Sequence, residues 1–158
     1  STHFCIDSDG TIYQFVDAMH EAWHSGVSKI NRQSIGIDLN NPVYKKYNPL
    51  LVKRGQPERP VLSGYSINGW KPKEFLGFHQ VQIDAYIALL AGLNAHLPDF
   101  NLVPTGDTGN PKIIKTIPLS KSSSEGGVMH HAHVKKRKWD TVGIDIAACC
   151  AAAKELEV

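Results

Sequence analysis

Residues 1–14 read STHFCIDSDGTIYQ. Residues 4–7 and 11–16 are two short runs with high β-propensity, and Asp9-Gly10 stands between them. An Asp-Gly pair between such runs favours a tight hairpin, because glycine tolerates the positive φ that the turn requires. We therefore predict an antiparallel β-hairpin at the start of this sequence.

Further strands and helices follow the hairpin. Residues 34–39, SIGIDL, are apolar at alternate positions and predict a third strand, which carries an acid near its end. A helix is predicted over residues 78–97, because apolar residues recur on one face and Pro98 ends the run. A last helix is predicted from about Thr141 to the C-terminus. This order favours one α/β domain over residues 1–158, with a central mixed sheet flanked by helices.

Two long segments interrupt this pattern. Residues 40–74 are rich in Pro, Gly, Asn and Lys and are too long for a plain connection, so they predict a functional loop or an insertion. The segment carries Tyr65 and Trp70, which makes it a candidate rim for a binding groove. Residues 99–127 also predict a loop, with one possible strand at residues 113–117.

Composition excludes several classes of protein. The net charge of +2 is too small to indicate nucleic-acid binding, although residues 135–138 form one dense basic run. We predict no membrane span, because the longest apolar stretch is too short to cross a bilayer. The three cysteines form neither a disulfide framework nor a zinc-finger pattern, and Cys149 and Cys150 are predicted to be small packing residues.

Histidines suggest a metal site near the C-terminal end of the chain. His130, His131 and His133 are followed by Lys138 and Asp140. Imidazole nitrogens and a carboxylate are ligands that Zn²⁺ prefers, and a catalytic zinc takes three of them with water in the fourth position. A hairpin-like loop between His130 and Asp140 would let both reach one ion, but a His-rich surface loop has the same pattern. His79 and His96 are predicted to be structural, and His20 to lie on the surface.

Three segments together resemble one protein family. Residues 1–14 look like its S-S-H-F-x-I-D-x-D-G-x-I-Y-Q hairpin, residues 22–28 (AWHSGVS) like its A-W-H-A-G-x-S loop, and residues 34–39 like its S-I-G-I-E-L strand. Their order and spacing also agree. The family is that of the zinc-dependent N-acetylmuramoyl-L-alanine amidases, which includes amidase-type phage lysozymes, bacterial cell-wall amidases and peptidoglycan-recognition proteins. The resemblance is strong from residue 1 through residue 42 and weak through the two long loops. It becomes strong again from about Met129 to Gly143.

The resemblance implies roles for particular residues. In the family, a zinc histidine precedes an Asp ligand by ten residues, with a lysine two residues before that Asp; here His130, Lys138 and Asp140 have this spacing. His131 and His133 compete as ligands if the loop is shifted. By the same comparison Asp38 would be the general base, Lys138 would stabilise the oxyanion, and Trp23 with His24 would form a wall of the substrate groove. A core position for Trp23 is equally compatible with the sequence.

The chain also departs from the family. Thr141-Val142-Gly143 follows Asp140, where the family usually has Pro-Gly. Asp38 stands where the bacterial enzymes carry Glu, which shortens the reach of the base. The first zinc histidine of the family lies upstream of the hairpin, so only two family-matched ligands fall within these residues. We therefore expect a companion segment or chain to supply the third.

The function that the resemblance implies is hydrolysis of the amide between N-acetylmuramic acid and L-alanine in peptidoglycan. The partners would be the muramic acid and its stem peptide. The protein would act in the bacterial cell wall or periplasm, be secreted, or serve as a phage-encoded, endolysin-like lytic enzyme. The main alternative is a non-catalytic peptidoglycan-recognition module of the same fold. A nucleic-acid-binding domain that uses the basic run, or a hydrolase with Cys5 as nucleophile beside His24, remains open but carries less support.

Overall fold

Three short strands form the central sheet of the computed structural model, which describes residues 1–124 and 126–156. β1 (Phe4–Ile6) pairs antiparallel with β2 (Ile12–Gln14) and parallel with β3 (Ile37–Leu39), so the strand order is β2-β1-β3. The predicted hairpin is confirmed, and Gly10 adopts a φ of 85° in its turn. The mixed sheet of the predicted α/β domain is therefore present, although its strands are shorter than predicted.

Two long helices cover the sheet. α3 (Gln80–His96) packs against α6 (Ile146–Glu155), and both contribute to a core that also contains Ile6 and Leu39. The helix predicted over residues 78–97 is thus confirmed. Four shorter helices complete the helical part of the described residues: α1 (Ser28–Asn31), α2 (Asn48–Lys53), α4 (Leu119–Ser122) and α5 (His131–Val134). None of the helices in the described residues has the length and apolarity needed to cross a bilayer.

The last helix begins five residues later than predicted. Gly143 has a φ of 111°, which is incompatible with a helix, so residues 140–143 form a turn and residues 144–145 are irregular. The carboxylate of Asp145 then accepts a hydrogen bond from the amide of Ala148 at 2.9 Å and caps the helix. The predicted end of this helix, at residues 157–158, lies outside the described residues. Cys149 and Cys150 are buried in the core, as predicted.

The segment predicted as an irregular loop contains several short elements. Residues 40–74 include a 3₁₀ turn (Lys45–Tyr47), α2, β4 (Val61–Leu62) and β5 (Ser66–Ile67). β4 pairs antiparallel with β6 (Phe75–Leu76), and β5 pairs parallel with β7 (Ile113–Ile114), which lies within the strand predicted at residues 113–117. Strands of two residues carry no detectable periodicity, which is why the sequence pattern did not show them.

A buried arginine joins this segment to the long helix. Arg59 is only 3% exposed, and its guanidinium donates to the carbonyls of Asn40 and Gly77 and to Oε1 of Gln82. Gln82 lies in α3 and in turn donates to the carbonyl of Asn40 at 3.0 Å. The segment therefore packs on the core rather than projecting from it as a free loop.

Candidate active site

A cavity of about 620 Å³ lies beside β3 and gathers most of the polar side chains that the sequence singled out. Its walls come from residues 34–39, the loop before α1, α5 and the turn that follows α5. The acids and histidines on its walls are Glu21, Asp38, Asp99, Asp140, His20, His24, His130 and His131. Four of the predicted site residues, Asp38, His24, His130 and Asp140, therefore share one cavity, whereas Lys138 and Trp23 do not line it.

Asp38 stands in the middle of β3 with its carboxyl group exposed to the cavity. Partial desolvation and the negative charge of Asp140 raise the pKa of Asp38, although His131, the N-terminal amine and Lys138 act in the opposite direction. A carboxylate whose pKa is raised holds a proton more readily than an ordinary surface Asp. It is therefore better suited to accept one during a reaction near neutral pH.

Asp140 is held by His131. Its Oδ2 lies 3.2 Å from Nδ1 of His131, and Nε2 of the same ring lies 3.1 Å from the carbonyl oxygen of Ser25. Burial by itself would raise the pKa of Asp140, but the hydrogen bond from His131 and the nearby positive charges outweigh it, so the pKa is lowered. The same cavity thus lowers the pKa of Asp140 and raises that of Asp38.

His130 is a buried neutral imidazole between Thr141 and His133. Its Nδ1 lies 3.1 Å from Oγ1 of Thr141, and its backbone amide donates to Nδ1 of His133 at 3.2 Å. Burial, together with the neighbouring His133, lowers the pKa of His130 to about 3. The neutral form is the one that binds metals, so the fold keeps His130 in the state that a ligand needs.

The two competing histidines have other partners. Burial lowers the pKa of His133 to about 4, and its ring packs against Gly106 beside a separate small cavity rather than in the large one. His131 lines the large cavity, but both of its ring nitrogens already contact oxygen atoms of Asp140 and Ser25. The prediction of a hairpin-like loop between His130 and Asp140 is wrong, because the short helix α5 occupies residues 131–134. Each histidine in this short helix therefore points to a different partner.

Lys138 and Trp23 lie outside the cavity wall. Lys138 is exposed, yet its charge is close enough to oppose the rise in the pKa of Asp38 and to contribute to the lowered pKa of Asp140. Trp23 is 77% exposed, so the core position that the sequence allowed for it is wrong. His24, the next residue, is half-buried, with its Nδ1 2.9 Å from the carbonyl oxygen of Ala22 and its Nε2 3.0 Å from Oγ of Ser34.

A glycine next to His24 also shapes the site. A Cβ at Gly36 would overlap the His24 ring, so this ring rests directly on the backbone before β3. The Gly36 amide donates to Nδ1 of His3 at 2.9 Å, and Nε2 of His3 donates to the carbonyl of His20 at 2.8 Å. These contacts give His3 a structural role. Sequence reasoning missed Gly36, although a glycine between two apolar strand residues is a signal of close approach.

The side chains at the cavity are of the types that bind zinc, but among the described residues too few of them converge to complete a site. His130 and Asp140 offer a neutral imidazole nitrogen and an ionised carboxylate, which are zinc ligands. Among residues 1–124 and 126–156, however, no three His, Cys, Asp or Glu side chains converge closely enough to hold a metal ion. The described residues alone therefore do not complete a zinc site.

Comparison with known proteins adds a family relationship. The family model described as N-acetylmuramoyl-L-alanine amidase matches residues 1–143, which include the whole cavity wall up to Thr141. No curated protein and no solved structure matches the chain. The match covers most of the chain and includes all six predicted site residues.

Proposed function

Since the chain belongs to the N-acetylmuramoyl-L-alanine amidase family, we propose that it hydrolyses the amide bond between N-acetylmuramic acid and L-alanine of the peptidoglycan stem peptide. The observation that carries this proposal is the pair of carboxylates in the cavity. Asp38 has a raised pKa and Asp140 a lowered one, although both lie in the same site. Two acids whose pKa values are moved apart in this way are suited to different tasks in one reaction.

Asp38 is the proposed general base. Its carboxylate takes a proton from a water molecule, the resulting hydroxide attacks the carbonyl carbon of the amide, and the carbon–nitrogen bond then breaks. The departing amine of L-alanine takes up the proton that Asp38 has received. This assignment is supported by the exposure of Asp38 to the cavity and by its raised pKa.

Zinc is the proposed cofactor, with His130 and Asp140 as two of its ligands. Zinc bound there would polarise the scissile carbonyl and favour ionisation of the attacking water. The third donor is proposed to come from a companion segment or chain outside these 158 residues. In support, β3 is an edge strand among the described residues, and residues 34–39 line the cavity, so an added strand has a place to pair.

Lys138, Trp23 and His24 are proposed to contact the substrate. Lys138 carries a positive charge within electrostatic reach of both acids, which suits it to stabilise the oxyanion of the tetrahedral intermediate. The exposed Trp23 and the cavity-lining His24 lie next to each other in the chain and would form one wall of the groove. A cell-wall, secreted or phage-encoded lytic role follows from this substrate and belongs to the same proposal.

A recognition module without catalysis is the second candidate. The incomplete set of metal donors among the described residues favours it. Against it, simple binding of peptidoglycan does not require two carboxylates with opposite pKa shifts. End-group analysis of digested peptidoglycan separates the two: the enzyme creates new L-alanine amino termini without new reducing sugar ends, whereas a binding module creates neither.

A variant makes this test specific. Peptidoglycan incubated with wild-type protein should release stem peptides detectable by mass spectrometry, and Asp38→Asn should release far fewer. His96→Ala is the matched control, because His96 is exposed at the end of α3 and does not line the cavity. The proposed amidase activity would be rejected if the wild-type protein, under conditions in which it holds zinc, created no new L-alanine termini.

A further inference from the structure

Four aromatic side chains form a patch on the surface beside the candidate site. We call the set of Tyr44, Tyr47, Trp70 and Trp139 the aromatic platform. Trp70 and Trp139 have ring centroids 4.8 Å apart, Tyr44 and Trp139 5.9 Å, and Tyr44 and Tyr47 6.2 Å. Tyr44 is 55% and Trp70 49% exposed. Contiguous exposed aromatic surface of this kind is a common mark of a binding site.

The rings are held at the surface by the fold. Trp139 packs against the fully buried Phe75 at 5.9 Å, which anchors the patch to the interior. Val43, just before Tyr44, has a φ of 63°, an unfavourable conformation for a β-branched residue. Backbone strain of this kind persists only where the surrounding structure imposes it, and it often accompanies functional sites.

A tight Asn-Gly turn positions Trp70. Asn68 (φ 54°) and Gly69 (φ 86°) are its central residues, in the left-handed conformation that Asn and Gly tolerate, and two backbone hydrogen bonds between Ile67 and Trp70, of 2.8 and 2.9 Å, close it. The Asn68 side chain also accepts from the Thr116 amide at 2.6 Å and donates to the carbonyl of Lys136 at 3.0 Å. The Trp70 turn is therefore tied to the loop that carries Lys138 and Asp140.

The platform adjoins the candidate active site through the chain. Trp139 is a member of the platform and lies between Lys138 and Asp140 in the chain. Nζ of Lys46 lies 5.7 Å from the ring centre of Tyr44 and 5.2 Å from that of Tyr47, which places a positive charge at the far end of the patch. A ligand along this surface would meet aromatic rings with the Lys46 ammonium beside them.

We propose that the aromatic platform is a subsite for the sugar rings of the peptidoglycan strand next to the amide that is cut. The C–H face of a hexopyranose is apolar, and covering an exposed indole or phenol ring with it removes apolar surface from water. The carboxylates of neighbouring stem peptides complement Lys46 and Lys138. This inference rests on the proposed function and makes it more specific: the substrate is the polymer rather than a fragment with a single sugar.

Binding of an oligosaccharide tests the subsite without any hydrolysis. The probe is a β-1,4-linked tetramer of N-acetylglucosamine, titrated calorimetrically against the whole protein. Trp70→Ala and Tyr44→Ala should each weaken binding by about tenfold, the loss expected for one aromatic contact. Phe15→Ala is the matched control, since Phe15 is 65% exposed and stacks on Tyr13, at residues outside the platform. The Phe15→Ala variant should bind the tetramer with the affinity of the wild type.

Unchanged affinity in both folded platform variants, equal loss in the Phe15 variant, or no binding by the wild type would each overturn the proposal. A second measurement compares hydrolysis of intact peptidoglycan with that of N-acetylmuramoyl tripeptide. Trp70→Ala should lower only the rate on the polymer, and an equal fall on both substrates would contradict the subsite. If the wild type cuts neither substrate, the proposed amidase activity fails, while the calorimetric result still decides the sugar subsite.

Discussion

At the scale of single residues, the surroundings of two acids in the cavity shift their pKa values in opposite directions. His131 donates to Asp140 and lowers its pKa, whereas no side chain in residues 1–124 or 126–156 donates to the carboxylate of Asp38, whose pKa is raised by desolvation and by Asp140 itself. Lys138 acts on both without lining the cavity. Asp140 therefore keeps its negative charge, whereas Asp38 is suited to take up and release a proton.

Replacing Asp38 by Asn tests its role as base. Asp38→Asn should reduce the rate of amide hydrolysis by about 10²- to 10⁴-fold, the usual contribution of a positioned base. Zinc content should stay at the wild-type level, because Asp38 is not a proposed ligand. Stem-peptide release and metal analysis on the same preparation provide the measurement. A variant with wild-type activity would show that another group accepts the proton.

The same substitution should stabilise the fold at neutral pH. Since the folded protein raises the pKa of Asp38, its contribution to stability is greatest in acid and is lost as the pH rises through that pKa. Asp38→Asn should therefore melt at a higher temperature than wild type near pH 7, and the difference should vanish near pH 3. Thermal unfolding across this range is the measurement, and a variant less stable than wild type at pH 7 would contradict the assignment.

The sequence predicted part of this arrangement. The fold brings four residues that the resemblance singled out, His130, Asp140, His24 and Asp38, to one cavity. The resemblance did not predict that His131 would clamp Asp140 to the Ser25 loop. Adjacent histidines in a sequence do not reveal ring directions, which here depend on the short helix α5 and on a loop more than a hundred residues earlier.

At the scale of elements, the contact between His24 and the backbone before β3 depends on Gly36. Gly36→Ala should destabilise the protein by about 1–3 kcal/mol, because the added methyl group overlaps the His24 ring. The control is Gly92→Ala in α3, where a Cβ meets nothing within 4 Å. It should instead stabilise by about 0.5–1 kcal/mol, since alanine is the better helix former. Chemical denaturation measures both, and equal effects of the two substitutions would contradict this packing.

Elements with a strong local signal were predictable, and others were not. The Asp9-Gly10 turn and the apolar face of α3 each carry a period or a turn residue that defines the element. The two-residue strands between residues 61 and 76 depend on pairing with distant partners. The start of α6 depends on the left-handed Gly143 and the Asp145 cap rather than on hydrophobic period.

At the scale of the whole molecule, Arg59 connects the 40–74 segment to the core. Arg59→Met should destabilise the protein by about 3 kcal/mol, because it removes the Arg59 donor from two buried acceptors, the carbonyl of Gly77 and Oε1 of Gln82. It should also speed proteolysis within residues 40–74. Arg54→Met, at an exposed position just after α2, is the control and should change neither. Equal proteolysis of the two variants would show that the segment is held by other contacts.

The cavity draws its walls from the sheet, from the loop after the hairpin and from the α5 turn, so a metal site there needs all three in place. Zinc content and stem-peptide release, measured on the same preparation, test this site. The preparations are wild type, His130→Ala and His96→Ala, each together with the segment or chain proposed to supply the third donor. We expect zinc and activity in the wild type and the His96 variant, and loss of both in the His130 variant. Zinc and activity that survive His130→Ala would contradict the assignment of His130 as a ligand.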